Sequence, residues 1–252
     1  MRRLWLSLAL FLGLAGHLWD GQTRFTIITF SPHVTIKSFD PATNRGLVLT
    51  LPDNLEISAV AGRGEWMAGL IAKAGSLQWA ADSIADTLGI AYIQVEGAGN
   101  WWNNLRWRLH EAEVEWRTVD LQETDLVTEF TTVDKVNALR LSGNWDNQAK
   151  TWFSDQQIAS SQLGVGIVNS TSVPGLGVNA SRVVESMGFK VRSLRTASQE
   201  VDQCVIRSRP AMKSAVTVRK LQNVFGCSWE ASDEPDLQLI LGQAYRSWKL
   251  GD

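Results

Sequence analysis

The stretch Leu163–Leu194, LGVGIVNSTSVPGLGVNASRVVESMGFKVRSL, decides the fold of the C-terminal third of the chain. A β-branched run at 165–168 predicts a strand, and the Asn-Ser-Thr-Ser sequence after it is typical of a turn that caps a helix. Pro174 suits the first helical position, because the N–H group that proline lacks is not needed there. Apolar residues then recur at helical spacing up to Gly188, which we expect in the left-handed conformation that ends a helix. The stretch therefore predicts a strand, a helix and a second strand that begins at Phe189.

The rest of the C-terminal third supplies the partners of this unit. Gln203–Arg207 and Leu237–Leu241 are predicted strands, and Met212–Phe225 is a predicted helix with one apolar face. The order βαββαβ predicts an α/β sandwich with its helices on one face of the sheet.

The N-terminal half also mixes strands with helices, which favours a second α/β domain. Asp-Pro and Asn between two β-branched runs predict a hairpin. The predicted strands are 24–29, 34–39, 46–51, 55–60 and 91–95, and the predicted helices are 66–74, 76–88, 103–116 and 134–141. The segment 145–158 is predicted as a linker or a peripheral helix.

The C-terminal third resembles the C-terminal domain of the LytR-CpsA-Psr cell-envelope family. The resemblance is carried by Val168-Asn169-Ser170-Thr171, by Pro174-Gly175-Leu176 and by Gly188-Phe189. Within these segments Asn169, Thr171, Gly175 and Gly188 are the motif residues.

The N-terminal half resembles the catalytic domain of the same family more faintly, through Phe39-Asp40-Pro41, Leu49–Asp53 and Leu88-Gly89-Ile90. The resemblance implies a degenerate catalytic-type domain at 24–143, preceded by a membrane anchor or signal segment that the pattern of residues 1–20 itself indicates. A linker at 144–162 and the C-terminal-type domain at 163–248 follow.

The resemblance also implies which segments carry the catalytic residues of the family, and this sequence differs from the family in those segments. Active members move a glycopolymer from a polyprenyl pyrophosphate carrier to the cell wall, and the pyrophosphate requires arginines or a metal. The family has a Gly-x-Asp-x-Arg segment, an Arg-x-Asp-Thr segment and a Pro-Arg-Asp segment, none of which occurs here, since the last reads Pro52-Asp53-Asn54. Asp53 is either a relic carboxylate or a turn residue. We therefore predict no catalytic residue, no cofactor and no metal site, with Mg²⁺ entering only if the chain is a divergent phosphotransferase.

Composition narrows the choice of partner. The net charge of −2 argues against a nucleic-acid binder. Among the 12 tryptophans, Trp101 and Trp102 are candidates for stacking on sugar rings or for an interface, and core packing is the alternative. Four basic residues, Arg207, Arg209, Lys213 and Lys220, form a candidate face for anionic wall polymers, or are ordinary solvated surface.

The first twenty residues indicate where in the cell the protein is located. Arg2 and Arg3 precede an apolar run, 4–18, that would span about 22 Å as a helix at roughly 1.5 Å per residue. An uncleaved anchor, a cleaved signal peptide and a buried helix are all compatible with this pattern. An exported body also favours a disulfide between Cys204 and Cys227 over two free thiols.

These observations predict a membrane-anchored, extracytoplasmic envelope protein that binds wall glycan, a lipid-linked polymer or a protein partner without catalysis. The alternative is a divergent glycopolymer phosphotransferase.

Overall fold

The computed structural model describes residues 19, 21–97, 101–234, 236–243 and 245, and for Trp101 only the backbone is described. The predicted anchor falls on residues 1–18 and 20, outside the described residues. None of the described helices is both long enough and apolar enough to cross a membrane.

The N-terminal half is built on a five-stranded sheet in the order β6-β1-β2-β3-β7. The three central strands form an antiparallel meander, and the two outer strands each pair in parallel. The predicted hairpin is confirmed, with Asp40 opposite Arg45 at its turn. The strands are β1 (Phe25–Thr29), β2 (Thr35–Asp40), β3 (Arg45–Thr50), β6 (Gln94–Val95) and β7 (Glu115–Asp120).

Helices lie on both faces of this sheet: most join the core around Ile28 and Ile36, and one packs through Trp107 against Phe25 and Phe39 on the other face. Ser76 caps α2 by accepting a hydrogen bond from the Trp79 N–H, and Gly89 ends it at φ +63°, as the sequence predicts. The helices of this half are α1 (Ala68–Ala74), α2 (Leu77–Leu88), α3 (Trp101–Glu111) and α4 (Trp145–Phe153). Two hairpins flank them: β4 (Glu56–Ser58) with β5 (Glu65–Met67), and β8 (Val127–Thr131) with β9 (Asn137–Leu141).

The C-terminal third contains a second five-stranded sheet in the order β11-β10-β14-β12-β13. Two helices pack on one of its faces through a shared apolar core, as predicted. The elements are α5 (Gln156–Ser161), β10 (Gly164–Asn169), α6 (Leu176–Ser186), β11 (Lys190–Thr196), β12 (Val205–Ser208), α7 (Val216–Phe225), β13 (Ser228–Ala231) and β14 (Leu237–Leu241). A disulfide joins Cys204, just before β12, to Cys227, just before β13.

The structure corrects several predicted elements. Residues 134–141 are not helical, because 137–141 pairs with 127–131 in a hairpin. The helix predicted to reach Trp116 ends at Glu111, and Trp116 lies in β7. Of the two alternatives for 145–158, a linker or a peripheral helix, the structure has a helix at Trp145–Phe153, but it is not peripheral, since Trp145, Ala149 and Phe153 are buried in the N-terminal core.

Two smaller corrections concern the C-terminal sheet. The helix after β10 begins at Leu176, because Gly175 occupies the cap at φ +80°, so Pro174 lies before the helix. The predicted βαββαβ order also lacks the short edge strand Ser228–Ala231.

Polar contacts hold the two halves together. Arg182 on α6 forms an ion pair with Asp146 on α4, at 2.7 Å between Nη2 and Oδ1. The same guanidinium donates to the backbone carbonyls of Asp86 and Thr87 at the end of α2. Lys220 on α7 donates to the carbonyl of Arg24. The C-terminal sandwich is therefore tied to both ends of the N-terminal core.

Candidate functional site: an open groove on the C-terminal sheet

The register of the C-terminal sheet separates its two faces. Ile167, Ile206 and Leu239 point toward the helices and are fully buried. Residues one position away point to the opposite face, because side chains alternate along a strand. There Val168 is paired with Ile240, and Ile240 with Val205.

This second face carries a groove of about 540 Å³. Its floor is apolar, formed by the cluster Val168, Val205 and Ile240 with Ala197 packed against it. The segment 197–203, between β11 and β12, lines one side. Among the described residues no helix lines this groove, unlike the opposite face of the same sheet.

Two arginines stand at the rim of the groove. Arg207 donates from Nε to Glu230 Oε2 at 2.9 Å, and both side chains are about half exposed. Arg195 is exposed and forms no ion pair with any described carboxylate. An arginine that lacks a carboxylate partner can donate to a phosphate or carboxylate of a ligand. The groove therefore combines apolar surface with one available guanidinium and one held in place by Glu230.

The four predicted basic residues do not form a single face. Only Arg207 lines the groove, whereas Arg209 is exposed just beyond the end of β12. Lys213 precedes α7 and places its ammonium 4.8 Å from the centre of the Trp229 ring. Lys220 is buried, with 5% of its surface exposed, and contacts the Arg24 carbonyl, so it belongs to the junction between the halves. Sequence reasoning chose these four residues by charge alone, and without the strand register it could not assign them to faces.

The motif residues build the turn between β10 and α6. Asn169 Oδ1 accepts from the Thr171 N–H and hydroxyl, and Asn169 Nδ2 donates to the Val173 carbonyl. Gly175 and Gly188 bracket α6 at φ +80° and +98°, where a side chain is disfavoured. These residues have a structural role in holding the loop at the end of the sheet.

Asp53, the candidate relic carboxylate, lies on the surface, outside the groove and the motif turn. Its carboxylate is exposed and pairs with His33 Nδ1 at 3.1 Å. Asp53 does not line the groove on the C-terminal sheet. No described arginine or lysine forms an ion pair with Asp53, so the described residues show no cationic pyrophosphate site around it. No set of three or more described His, Cys, Asp or Glu side chains is placed to hold a metal ion.

A second cavity of about 360 Å³ lies where α2 meets the disulfide region of the C-terminal sandwich. In its wall the Tyr92 hydroxyl donates to Asp82 Oδ1 at 2.6 Å. Burial and the adjacent Asp82 carboxylate raise the pKa of Tyr92, so its hydroxyl keeps its proton. Gln78, Asp82 and Tyr92 in this wall hydrogen-bond to one another, which favours a structural junction over a reactive site.

The tryptophans divide between core and surface. Trp19 and Trp107 pack with Phe25 and Phe39 in a buried aromatic cluster. Trp145 is also buried and donates from Nε1 to the Leu88 carbonyl at 2.7 Å. Core packing, the alternative weighed for these residues, therefore accounts for them, whereas Trp102 on α3 is 39% exposed.

Comparison with known families assigns the C-terminal sandwich. Residues 162–245 match the family described as LytR cell envelope-related transcriptional attenuator, known as LytR_C. This range covers β10 to β14, including the groove and the motif turn. No curated protein sequence matches the chain.

Solved structures with related shapes are only loosely superimposable. The soluble domain of a conserved hypothetical secreted protein from Mycobacterium marinum is 15% identical, with a TM-score of 0.29, over 48% of this chain and 74% of that chain. The LytR-CPS2A-psr family protein TagT of Bacillus subtilis, with bound octaprenyl pyrophosphate lipid, is 11% identical with a TM-score of 0.27. That match covers 83% of this chain and 93% of TagT. At these TM-scores the superpositions carry no argument about fold or ligand.

Proposed function

Taking residues 162–245 as a LytR_C domain, we propose that this chain is an exported, membrane-anchored envelope protein that binds an anionic envelope glycopolymer without catalysis. The binding surface is the groove on the open face of the C-terminal sheet. The single observation that carries the proposal is Arg195, an exposed guanidinium with no described ion-pair partner beside an apolar-floored groove.

The groove suits a polymer better than a small enclosed ligand. It runs across an open sheet face and is bounded on one side only by the 197–203 segment. The apolar floor can cover the non-polar faces of sugar rings, while Arg195 and Arg207 pair with phosphate or carboxylate groups along the chain. Trp102 lies in the other half of the molecule and takes no part in this groove.

Binding of the detergent-solubilised full chain to purified cell-wall sacculi tests the proposal. We expect Arg195→Ala to weaken binding by about tenfold, since a hydrogen bond to a charged group is worth roughly 1.5–3 kcal/mol. Arg207→Ala should weaken it too, while leaving Glu230 without its partner. Sacculi stripped of their anionic polymer should retain little of the protein.

Arg209→Ala is the matched control, because Arg209 is an exposed arginine of the same domain that lies outside the groove lining. Equal losses for all three variants would mean general charge attraction and would contradict a groove. Magnesium-dependent release of polyprenyl phosphate from a lipid-linked polymer would instead support the alternative, a divergent phosphotransferase.

A further inference from the structure

One face of helix α3 packs against the body of the protein. Trp107 packs against Phe25 and Phe39 with ring centres 5.2 and 6.2 Å away. Asn103, one turn earlier, is buried and accepts a hydrogen bond from the Trp19 N–H at 3.0 Å. These contacts fix which face of the helix turns away from the protein.

The outward face of α3 is apolar. Trp102, Leu105 and Leu109 are 39%, 42% and 69% exposed. At about 100° per residue they fall within roughly 60° of one another around the helix axis. Arg106 and Arg108 flank this stripe, one on each side, and both are exposed. Large apolar side chains between arginines are typical of a helix that lies in a membrane interface.

The chain reaches this helix directly from its apolar N-terminal run. Trp19, only 2% exposed, is held against α3 by the Asn103 side chain, and its carbonyl accepts from the Arg106 guanidinium. Trp19 directly follows the apolar run 4–18 in the sequence, so the described body begins beside α3 where that run ends. The exposed stripe is thus next to the point where the run leaves the described body.

We propose that the stripe Trp102, Leu105 and Leu109 of α3 docks on the surface of an anionic phospholipid bilayer. The proposal rests on the membrane anchoring included in the proposed function. A run of 15 residues is shorter than a hydrocarbon core of about 30 Å, and such a mismatch draws flanking residues toward the membrane. Arg106 and Arg108 then contact lipid phosphates while the apolar side chains enter the headgroup region.

A nitroxide spin label at position 109 tests this inference. The full chain carrying Leu109→Cys is reconstituted in vesicles of phosphatidylcholine and phosphatidylglycerol, with the native disulfide kept oxidised. We expect the label to collide more with oxygen, which partitions into lipid, than with a water-soluble nickel complex. Leu105→Glu in the labelled chain should shift the label toward the nickel complex, because it places a charge in the stripe.

Val133→Cys provides the matched control, because Val133 is fully exposed on the β8–β9 turn, away from α3. Its label should collide freely with the nickel complex. A label at 109 that behaves like the one at 133 overturns the inference. So does a label at 109 that is shielded from both reagents, since a protein segment or a second copy then covers the stripe. Flotation of the chain with the vesicles distinguishes failure of this inference from failure of the proposed function. A chain that does not float contradicts the membrane anchor as well. A chain that floats but has a water-exposed label at 109 contradicts only the docking of the stripe.

Discussion

At the scale of single residues, Asp155 shows how charge is used where the two halves meet. Its carboxylate accepts from the backbone N–H groups of Arg24, Gln157 and Ile158. Burial raises the pKa of Asp155, and these hydrogen bonds and the nearby Lys220 only partly oppose that rise. The ionised form of Asp155 is therefore tolerated rather than favoured by the fold.

The raised pKa of Asp155 predicts an unusual dependence of stability on pH. A carboxyl whose folded pKa lies above its ordinary value of 3.8 contributes stability that is fully present below that pH and is lost as the pH rises through the folded pKa. We therefore expect the free energy of unfolding of the wild type, relative to that of Asp155→Asn, to be higher at low pH than near neutrality. Denaturant unfolding of both proteins at several pH values measures this difference. A difference that grows in favour of the wild type as the pH rises would contradict this reading.

The motif residue Asn169 yields a second prediction. Its buried amide makes three hydrogen bonds within the β10–α6 turn. Asn169→Ala leaves the Thr171 N–H and the Val173 carbonyl without these partners and should lower the free energy of unfolding by about 1–3 kcal/mol. Ser181→Ala is the control, since the Ser181 hydroxyl is exposed and donates only to the Val178 carbonyl. Comparable losses for the two variants would remove the structural role assigned to the motif.

At the scale of elements, the sequence predicts best where a cap and a periodic face agree. The apolar face of the segment 76–88 and the glycine that follows it both indicate one helix, and the structure has it as α2, with Ser76 as its cap. The segment 134–141 has apolar residues at a spacing that also fits a helix, but it pairs with the β-branched segment 127–131. That pairing depends on Lys135 adopting a positive φ in the turn, which no local residue signals.

The candidate groove could not be predicted from the sequence for a related reason. Arg195 and Arg207 lie on strands that are consecutive in the chain, but β11 and β12 are not neighbours in the sheet. Only the order β11-β10-β14-β12 places both side chains on one face around Val168 and Ile240. The sequence could indicate a basic C-terminal third but not which cations share a surface.

The two glycine C-caps give a prediction at this scale. Gly89 and Gly226 end α2 and α7 at φ +63° and +66°. A Cβ at 226 meets nothing within 4 Å, whereas one at 89 would lie 3.0 Å from Arg182 Cβ. Gly226→Ala should therefore cost only the backbone strain of about 1 kcal/mol, and Gly89→Ala should cost more because Arg182 must also move. Equal losses in thermal or denaturant unfolding would show that the Arg182 contact at this cap is unimportant.

At the scale of the whole molecule, two cores are joined by a small number of polar links. The N-terminal and C-terminal apolar clusters contain different residues, and α4 and α6 pack across the boundary. Arg182 is the most connected of the links, since it bonds Asp146 and two carbonyls of α2. The cooperativity of unfolding should therefore depend on this residue.

Removal of Arg182 is predicted to loosen the coupling of the two halves. Arg182→Ala leaves Asp146 without its partner and should separate a single unfolding transition into two, or lower its denaturant slope. Lys150→Ala is the control, because Lys150 and Glu185 join the same helices through an exposed ion pair at 2.8 Å, which is worth at most about 1 kcal/mol. A single, equally steep transition in both variants would contradict the assigned role of Arg182.

The burial of Trp19 has a mechanical consequence. Trp19 is buried in the described body and directly follows the apolar run 4–18 in the sequence. If a polymer is held in the proposed groove, a pull on it would be transmitted to Trp19 through the Arg182 and Lys220 links and the aromatic cluster. The contacts that join the two halves would then carry mechanical load as well as stabilise the fold.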